Sequence, residues 1–207
     1  VILTTTSVRQ KAQPLFAESD LLKRVRWLAV EEIDLDLAFD WQQPEISADS
    51  IAFIQYTSGS TSIPKGVIVT HGNLLHNEAM IKDAFRQSER SIIVGWLPLY
   101  HDMGLIGNVL QPLYLGARCI LMSPVAFLQR PCRWLSAISR YRATTSGGPN
   151  FAYELCLRKI SREQRASLDL SSWEVAFNGA EPIRAATQAS FAETFAGCGF
   201  RPEAFQP

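Results

Sequence analysis

The stretch Ser91-Ile92-Ile93-Val94-Gly95-Trp96-Leu97-Pro98, continued by Leu105–Leu115, Gly116 and Cys119-Ile120-Leu121-Met122, decides the fold. Ile92–Leu97 is a short, continuous apolar run stopped by a proline, the pattern of a buried strand. Leu105–Leu115 has the length and composition of an apolar helix, and Gly116 breaks it. Cys119–Met122 is apolar again and reads as the next strand. Strands and helices alternate from Ser91 onward, which predicts an α/β fold with a mostly parallel sheet flanked by helices.

The alternation continues downstream. Pro131 opens a helix whose Trp134, Leu135, Ile138 and Tyr141 share one face. Ala143-Thr144-Thr145-Ser146 reads as a strand entering a Gly147-Gly148-Pro149-Asn150 turn. Phe151–Ile160 reads as a helix, Trp173–Phe177 as a strand turning at Asn178-Gly179, and Arg184–Phe195 as a last helix. Upstream, Val1–Thr5 and Val25–Val30 read as strands around a helical stretch, Gln13–Arg26. Glu31–Asp40 and Gln42–Asp49 read as a linker or solvated surface segment. Ile51–Tyr56 and Gly66–Thr70 read as strands, and Asn73–Phe85 as a helix. The expected division is residues 1–50, the end of a first α/β subdomain plus a linker, and residues 51–207, a second α/β subdomain.

Composition narrows the classes of partner. The chain has 207 residues, 47% hydrophobic and 19% charged, with a formal net charge of zero. That balance leaves no electrostatic footprint for nucleic acid or an anionic membrane. No apolar run is long enough to span a bilayer, and the first residues carry no basic, signal-like segment. Cys119, Cys132, Cys156 and Cys198 are scattered, with His71, His76 and His101 as the sole histidines. Without a paired-cysteine motif, structural zinc is not expected, and a reducing, cytoplasmic setting is.

The candidate chemistry starts in Tyr56-Thr57-Ser58-Gly59-Ser60-Thr61-Ser62-Ile63-Pro64-Lys65-Gly66-Val67. Backbone N–H groups, hydroxyls and an ammonium suit a polyphosphate, while the same composition also makes a plain turn. A P-loop would need Gly-Lys-Ser/Thr and a following helix. Here proline stands for the second glycine, glycine for the Ser/Thr, and both flanks read as strands. Three polar turns follow later strands: Leu99-Tyr100-His101-Asp102, Ser146–Asn150 and Asn178-Gly179-Ala180-Glu181-Pro182. In a parallel sheet such turns share the carboxyl edge, where ligands bind.

Together these segments resemble the adenylate-forming superfamily of acyl-CoA synthetases, peptide-synthetase adenylation domains and luciferases. Thr57–Thr61 with Pro64-Lys65-Gly66 is similar to its phosphate loop, and Gly179-Ala180-Glu181-Pro182 to its adenine-contacting segment. Trp96-Leu97-Pro98-Leu99-Tyr100-His101-Asp102-Met103-Gly104-Leu105-Ile106-Gly107, Gln111-Pro112-Leu113-Tyr114, Gly148–Leu155 and Phe177–Ile183 resemble the fatty acyl-AMP ligase branch. The resemblance covers nearly the whole chain with its motifs in order.

The resemblance implies a large N-terminal domain of which this chain is a part. It implies ATP and Mg²⁺, a fatty acid, and an acyl carrier protein or the carrier domain of a polyketide or peptide synthase. Acyl-adenylate and pyrophosphate form first, and the acyl group then passes to a carrier thiol. By that analogy Thr57, Ser58, Gly59, Ser60, Thr61, Lys65 and Gly66 hold the phosphates, with Thr57 also a ligand of the metal. Gly179, Ala180, Glu181 and Pro182 contact adenine. His101, Asp102, Met103, Gly104, Gly147, Gly148 and Pro149 border the substrate, and Lys65 and His101 carry catalysis. Asp102 either orients His101 or caps the next helix; Glu181 is equally a helix-start residue.

Acyl-pocket residues are expected among the apolar positions of Met103–Leu115 and Phe151–Leu155. The family's magnesium-binding glutamate, ribose-binding aspartate and C-terminal lysine are not in the sequence, so residues 1–207 alone are expected to form no acyl-adenylate. Acyl-CoA ligase, amino-acid adenylation domain and non-catalytic nucleotide-binding module are the competing readings.

Overall fold

A computed structural model describes residues 1–57 and 64–206. The chain forms two units, Val1–Ile46 and Ser47–Pro207.

In the first unit, β1 (Ile2–Thr4) leads into α1 (Thr6–Glu18), α2 (Asp20–Arg24) and β2 (Trp27–Ala29), and β1 pairs with β2 in parallel. Thr5 begins α1 by accepting a hydrogen bond from the Val8 amide. The helix therefore starts seven residues before the position expected from the sequence (Gln13). Two short 3₁₀ turns, Val30–Glu32 and Leu35–Asp40, follow where a linker was expected.

The second unit opens with an antiparallel hairpin, β3 (Ile51–Thr57) and β4 (Lys65–Thr70), and passes directly into α3 (His71–Ala84). Thr70 and Asn73 form a reciprocal capping box there. Then come β5 (Ile92–Gly95), α4 (Asp102–Leu105), a π-helical turn (Ile106–Leu110), α5 (Gln111–Leu115) and β6 (Arg118–Leu121). The expected single helix at Leu105–Leu115 is thus three segments. It ends at Gly116, whose φ of +67° suits a residue without a side chain.

Next follow α6 (Pro124–Gln129), α7 (Cys132–Tyr141), β7 (Thr145–Gly148), α8 (Asn150–Lys159), α9 (Arg162–Arg165), β8 (Val175–Asn178), α10 (Ala185–Phe195) and β9 (Phe205–Gln206). The main sheet has the order β6-β5-β7-β8-β9 with every pair parallel. The fold is therefore the α/β class expected, with helices flanking a parallel sheet.

Its core is aromatic. Trp134 is fully buried, with ring centroids 5.5 Å from Phe127, 5.5 Å from Tyr153 and 5.4 Å from Trp173. Its indole N–H donates to Ser146 Oγ at 2.7 Å, and that hydroxyl donates to the Val94 carbonyl at 2.6 Å. Of the predicted α7 face, Trp134, Leu135 and Ile138 are buried and Tyr141 is half-buried.

Candidate functional site

Parallel order puts the carboxyl ends of β5, β7 and β8 side by side, so the segments after Gly95, Gly148 and Asn178 emerge on one edge. β5 stops at Gly95, two residues before the expected end at Leu97, whereas β7 and β8 end later than the sequence suggested. Gly147 and Gly148 lie within β7, opposite Phe177 and Asn178 of β8, instead of in the turn. Close packing explains the glycines there. A Cβ on Gly147 would stand 2.2 Å from the Phe177 carbonyl oxygen, and one on Gly148 2.6 Å from the Trp96 ring.

After β5, the chain turns at Pro98 and starts α4 with His101 as its N-cap. His101 Nδ1 lies 2.7 Å from Asp102 Oδ1, and the Met103 amide donates to the same carboxylate oxygen at 2.7 Å. The same amide also donates to His101 Nδ1 at 3.2 Å, so imidazole and carboxylate share one N–H of α4. The cap of α4 is therefore His101, with Asp102 as the first helical residue against its imidazole. Gly104 is required behind them, because a Cβ would meet the Pro98 carbonyl oxygen at 2.2 Å.

Two clefts open at this edge. The larger, about 440 Å³, has Ile81 of α3, Phe85 at the end of that helix, Met103, Ile106 and Phe177 as apolar wall. Asp102, Gly107, Asn178, Gly179, Ala180 and Gln206 complete it. The smaller, about 240 Å³, includes His101, Tyr100, Trp96, Pro149 and Phe151. Met103 and Ala180 line both. At the bottom of this edge both polar atoms of the Asn178 amide are buried without a partner, as is the Trp96 N–H. Buried polar atoms are normally paired, so these three stand out at this edge with unused hydrogen-bonding capacity. Ala180 adopts φ +65°, a conformation uncommon for a residue with a side chain and concentrated at functional turns.

The Gly179–Pro182 turn is fastened to α8. Glu181 Oε1 accepts from the Phe151 amide at 2.6 Å, and Asn150 Oδ1 accepts from the Arg184 amide at 3.1 Å. The Glu181 carboxylate therefore satisfies the start of α8, and Glu181 and Pro182 are not among the residues lining either cleft.

Thr57 and Lys65 are the last register pair of the β3–β4 hairpin, and Gly66 faces Tyr56. Strands flank the loop on both sides, as predicted. Ser58, Gly59, Ser60 and Thr61 lie outside the described residues. Thr57, Lys65 and Gly66 are exposed and line neither cleft. Among the described residues no three His, Cys, Asp or Glu side chains gather as a metal site. A third concavity, about 420 Å³ beside Arg130, Arg133 and Arg140, contains none of the candidate phosphate, adenine or substrate residues.

Sequence reasoning placed Met103, His101, Gly179 and Ala180 at the edge but missed Ile81, Phe85 and Asn178. The α3 pair carried no signal beyond ordinary core periodicity. Asn178 stood in view as a turn residue, and its buried, unpaired amide became visible only with the strand it ends.

Residues 2–202 match the model of the AMP-binding enzyme family. The chain belongs to this family. It is 50% identical over its whole length to the medium-chain-fatty-acid–[acyl-carrier-protein] ligase JamA of Moorena producens, covering 35% of that protein. It is 54% identical over 80% of its length to the corresponding ligase TtuA of Teredinibacter turnerae, covering 26% of it. Among solved structures, fatty acyl-adenylate ligase from L. pneumophila, in complex with acyl adenylate and pyrophosphate, superposes with a TM-score of 0.90. That pair is 48% identical over 98% of this chain and 35% of the other. The chain thus spans about a third of the length of these relatives.

Proposed function

We propose that this AMP-binding chain is the part of a fatty acyl-AMP ligase that builds the acyl-facing and adenine-facing walls of the site. The supporting observation is the carboxyl-edge cleft. An apolar wall from α3, the π turn and Phe177 meets an oriented His101–Asp102 pair and a strained Gly179–Ala180 turn. The similarity to a ligase solved with acyl adenylate and pyrophosphate covers this whole edge.

The chemistry follows from charge. A fatty acid is ionised near neutral pH, so its carboxylate needs no general base. A carboxylate oxygen attacks the α-phosphorus of ATP, the bond to the β-phosphate breaks, and pyrophosphate leaves with the electron pair. A carrier-protein thiolate then attacks the acyl carbonyl and AMP departs, the thiol proton passing to solvent. The obstacle in the first step is repulsion between anions, and it is met by positioning and charge neutralisation.

Lys65 supplies a cation at the root of the hairpin loop, with Ser58, Ser60 and Thr61 as donors to the β- and γ-phosphates and Gly59 and Gly66 allowing close approach. The His101 imidazole, held by Asp102, positions the carboxylate. Gly147, Gly148 and Pro149 border the acyl path, Gly104 keeps α4 tight against it, and the backbone of Gly179–Pro182 faces adenine. Thr57 is one oxygen donor, which fits Mg²⁺ arriving with the triphosphate and retaining water. When bound, that ion would compensate phosphate charge. Four unpaired cysteines accord with a reducing, cytoplasmic setting, and among the described residues no helix is long and apolar enough to cross a membrane.

Fatty-acid-dependent ATP–pyrophosphate exchange by the full-length protein tests the reading, with Lys65→Ala as the variant. A loss of about a hundredfold or more in kcat/KM, or about 2.7 kcal/mol, is expected. Unchanged exchange removes Lys65 from the phosphate role, and release of acyl-CoA would favour the CoA-ligase alternative.

A further inference from the structure

The elements that line the larger cleft also carry a buried polar layer. The cleft's sheet wall, Phe177 and Asn178, is level with Gly147 and Gly148 in the β7–β8 register. Thr145 lies two residues earlier on β7, about 7 Å nearer the amino edge. The Thr145 hydroxyl accepts from Gln87 Nε2 at 3.4 Å, Gln87 Oε1 accepts from Gln111 Nε2 at 2.9 Å, and the other end of the Gln111 amide abuts the Glu78 carboxyl.

Two of these residues lie close to lining residues along their own helices. Gln111 is one turn beyond Gly107 on the helix that leaves the edge at Asp102, and Glu78 is one turn from Ile81 on α3. Glu78, Gln87, Gln111 and Thr145 are 2%, 6%, 1% and 3% exposed. Glu78 Oε1 has no partner, and the Asn108 amide of the π turn, wedged against Gly95, has none either.

We infer that the Glu78–Gln111–Gln87–Thr145 layer is the floor of the acyl cleft and sets an upper limit on acyl chain length. The inference rests on the acyl reading of this cleft. A methyl terminus that fits above the layer gains apolar contact with Ile81, Phe85, Ile106 and Phe177. A longer chain must part the amide-to-amide bonds and strand donors and acceptors that water cannot reach, an asymmetry a buried polar group enforces more sharply than an apolar wall.

The test is ATP–pyrophosphate exchange by the full-length protein with saturated fatty acids of about eight to about eighteen carbons. The unmodified protein should show a fall of tenfold or more in kcat/KM across two added methylenes. Gln111→Ala, which removes the central link, should raise the long-to-short ratio tenfold or more. Exchange that keeps rising to the longest acid in the unmodified protein overturns the floor, as does an unchanged cut-off in a folded Gln111→Ala. Absence of exchange with every fatty acid overturns the acyl reading itself, and with it this inference.

Discussion

Glu78 should make the stability of this chain depend on pH in a direction opposite to that of most carboxylates. Its side chain is buried against α5, and burial pushes the carboxyl up from the ordinary 4.5 to about 7. The folded state therefore holds a proton that the unfolded chain has already released across this interval. Stability from the neutral acid is fully present below pH 4.5 and is lost as pH rises to about 7, beyond which the penalty is constant. At ~1.4 kcal/mol per pKa unit, the change amounts to about 3 kcal/mol.

Neutral Glu78 can donate to the Gln111 amide oxygen that faces it; ionised, it requires the amide to turn over and donate instead. Glutamine in its place keeps the shape and the donor and removes the ionisation. Glu78→Gln should therefore gain about 3 kcal/mol relative to the parent between pH 5 and pH 8, or roughly 6–12 °C in Tm. Urea unfolding of both proteins across that range, followed by tryptophan fluorescence, measures the difference. Glu31, Glu163 and Asp169, all held below their usual values by hydrogen bonds, cancel in the comparison. A parent–variant difference that is flat with pH, or a parent more stable than Glu78→Gln at pH 8, would refute the reasoning.

Gly148→Ala should cost about 1–3 kcal/mol, because its Cβ would lie 2.6 Å from the Trp96 ring, and thermal denaturation reads that directly. In the full-length protein, His101→Ala should lower kcat/KM for fatty acid by about 10–100-fold without altering the shape of the pH profile, since the imidazole positions an anion and moves no proton. A native thiol titration should label Cys132 first. The Cys156 thiol is pushed well up by burial and Cys119 is raised to about 11, so both should react only on unfolding.

Much of this architecture could be read from residue order. Apolar runs marked β5 and β6, Gly116 marked the end of α5, and the one-faced pattern of Trp134, Leu135 and Ile138 marked α7, with Tyr141 half-buried. The α6 helix was missed although Ser123-Pro124 is a sound start signal, a hydroxyl cap before proline at the first helical position. The end of β7 was misjudged because Gly147-Gly148 looks like a turn. Two adjacent glycines here serve close packing against Phe177 and Trp96, which no local rule reveals.

The site divides along the same line. His101, Asp102 and Gly179 could be selected from the sequence and line the clefts, because imidazole, carboxylate and glycine carry their chemistry wherever the chain places them, whereas Lys65 lines neither. Their order, between strands that must lie parallel, also determined that the turns at His101, Pro149 and Gly179 face one edge. Tertiary structure alone decided what stands beneath that edge. Glu78 and Gln111 are polar residues on helices and would ordinarily be solvated, yet α3 and α5 pack so that both are buried. Burial is a property of two surfaces meeting, so neither helix records it alone, and the shifted carboxyl and the floor of the cleft exist only once they meet.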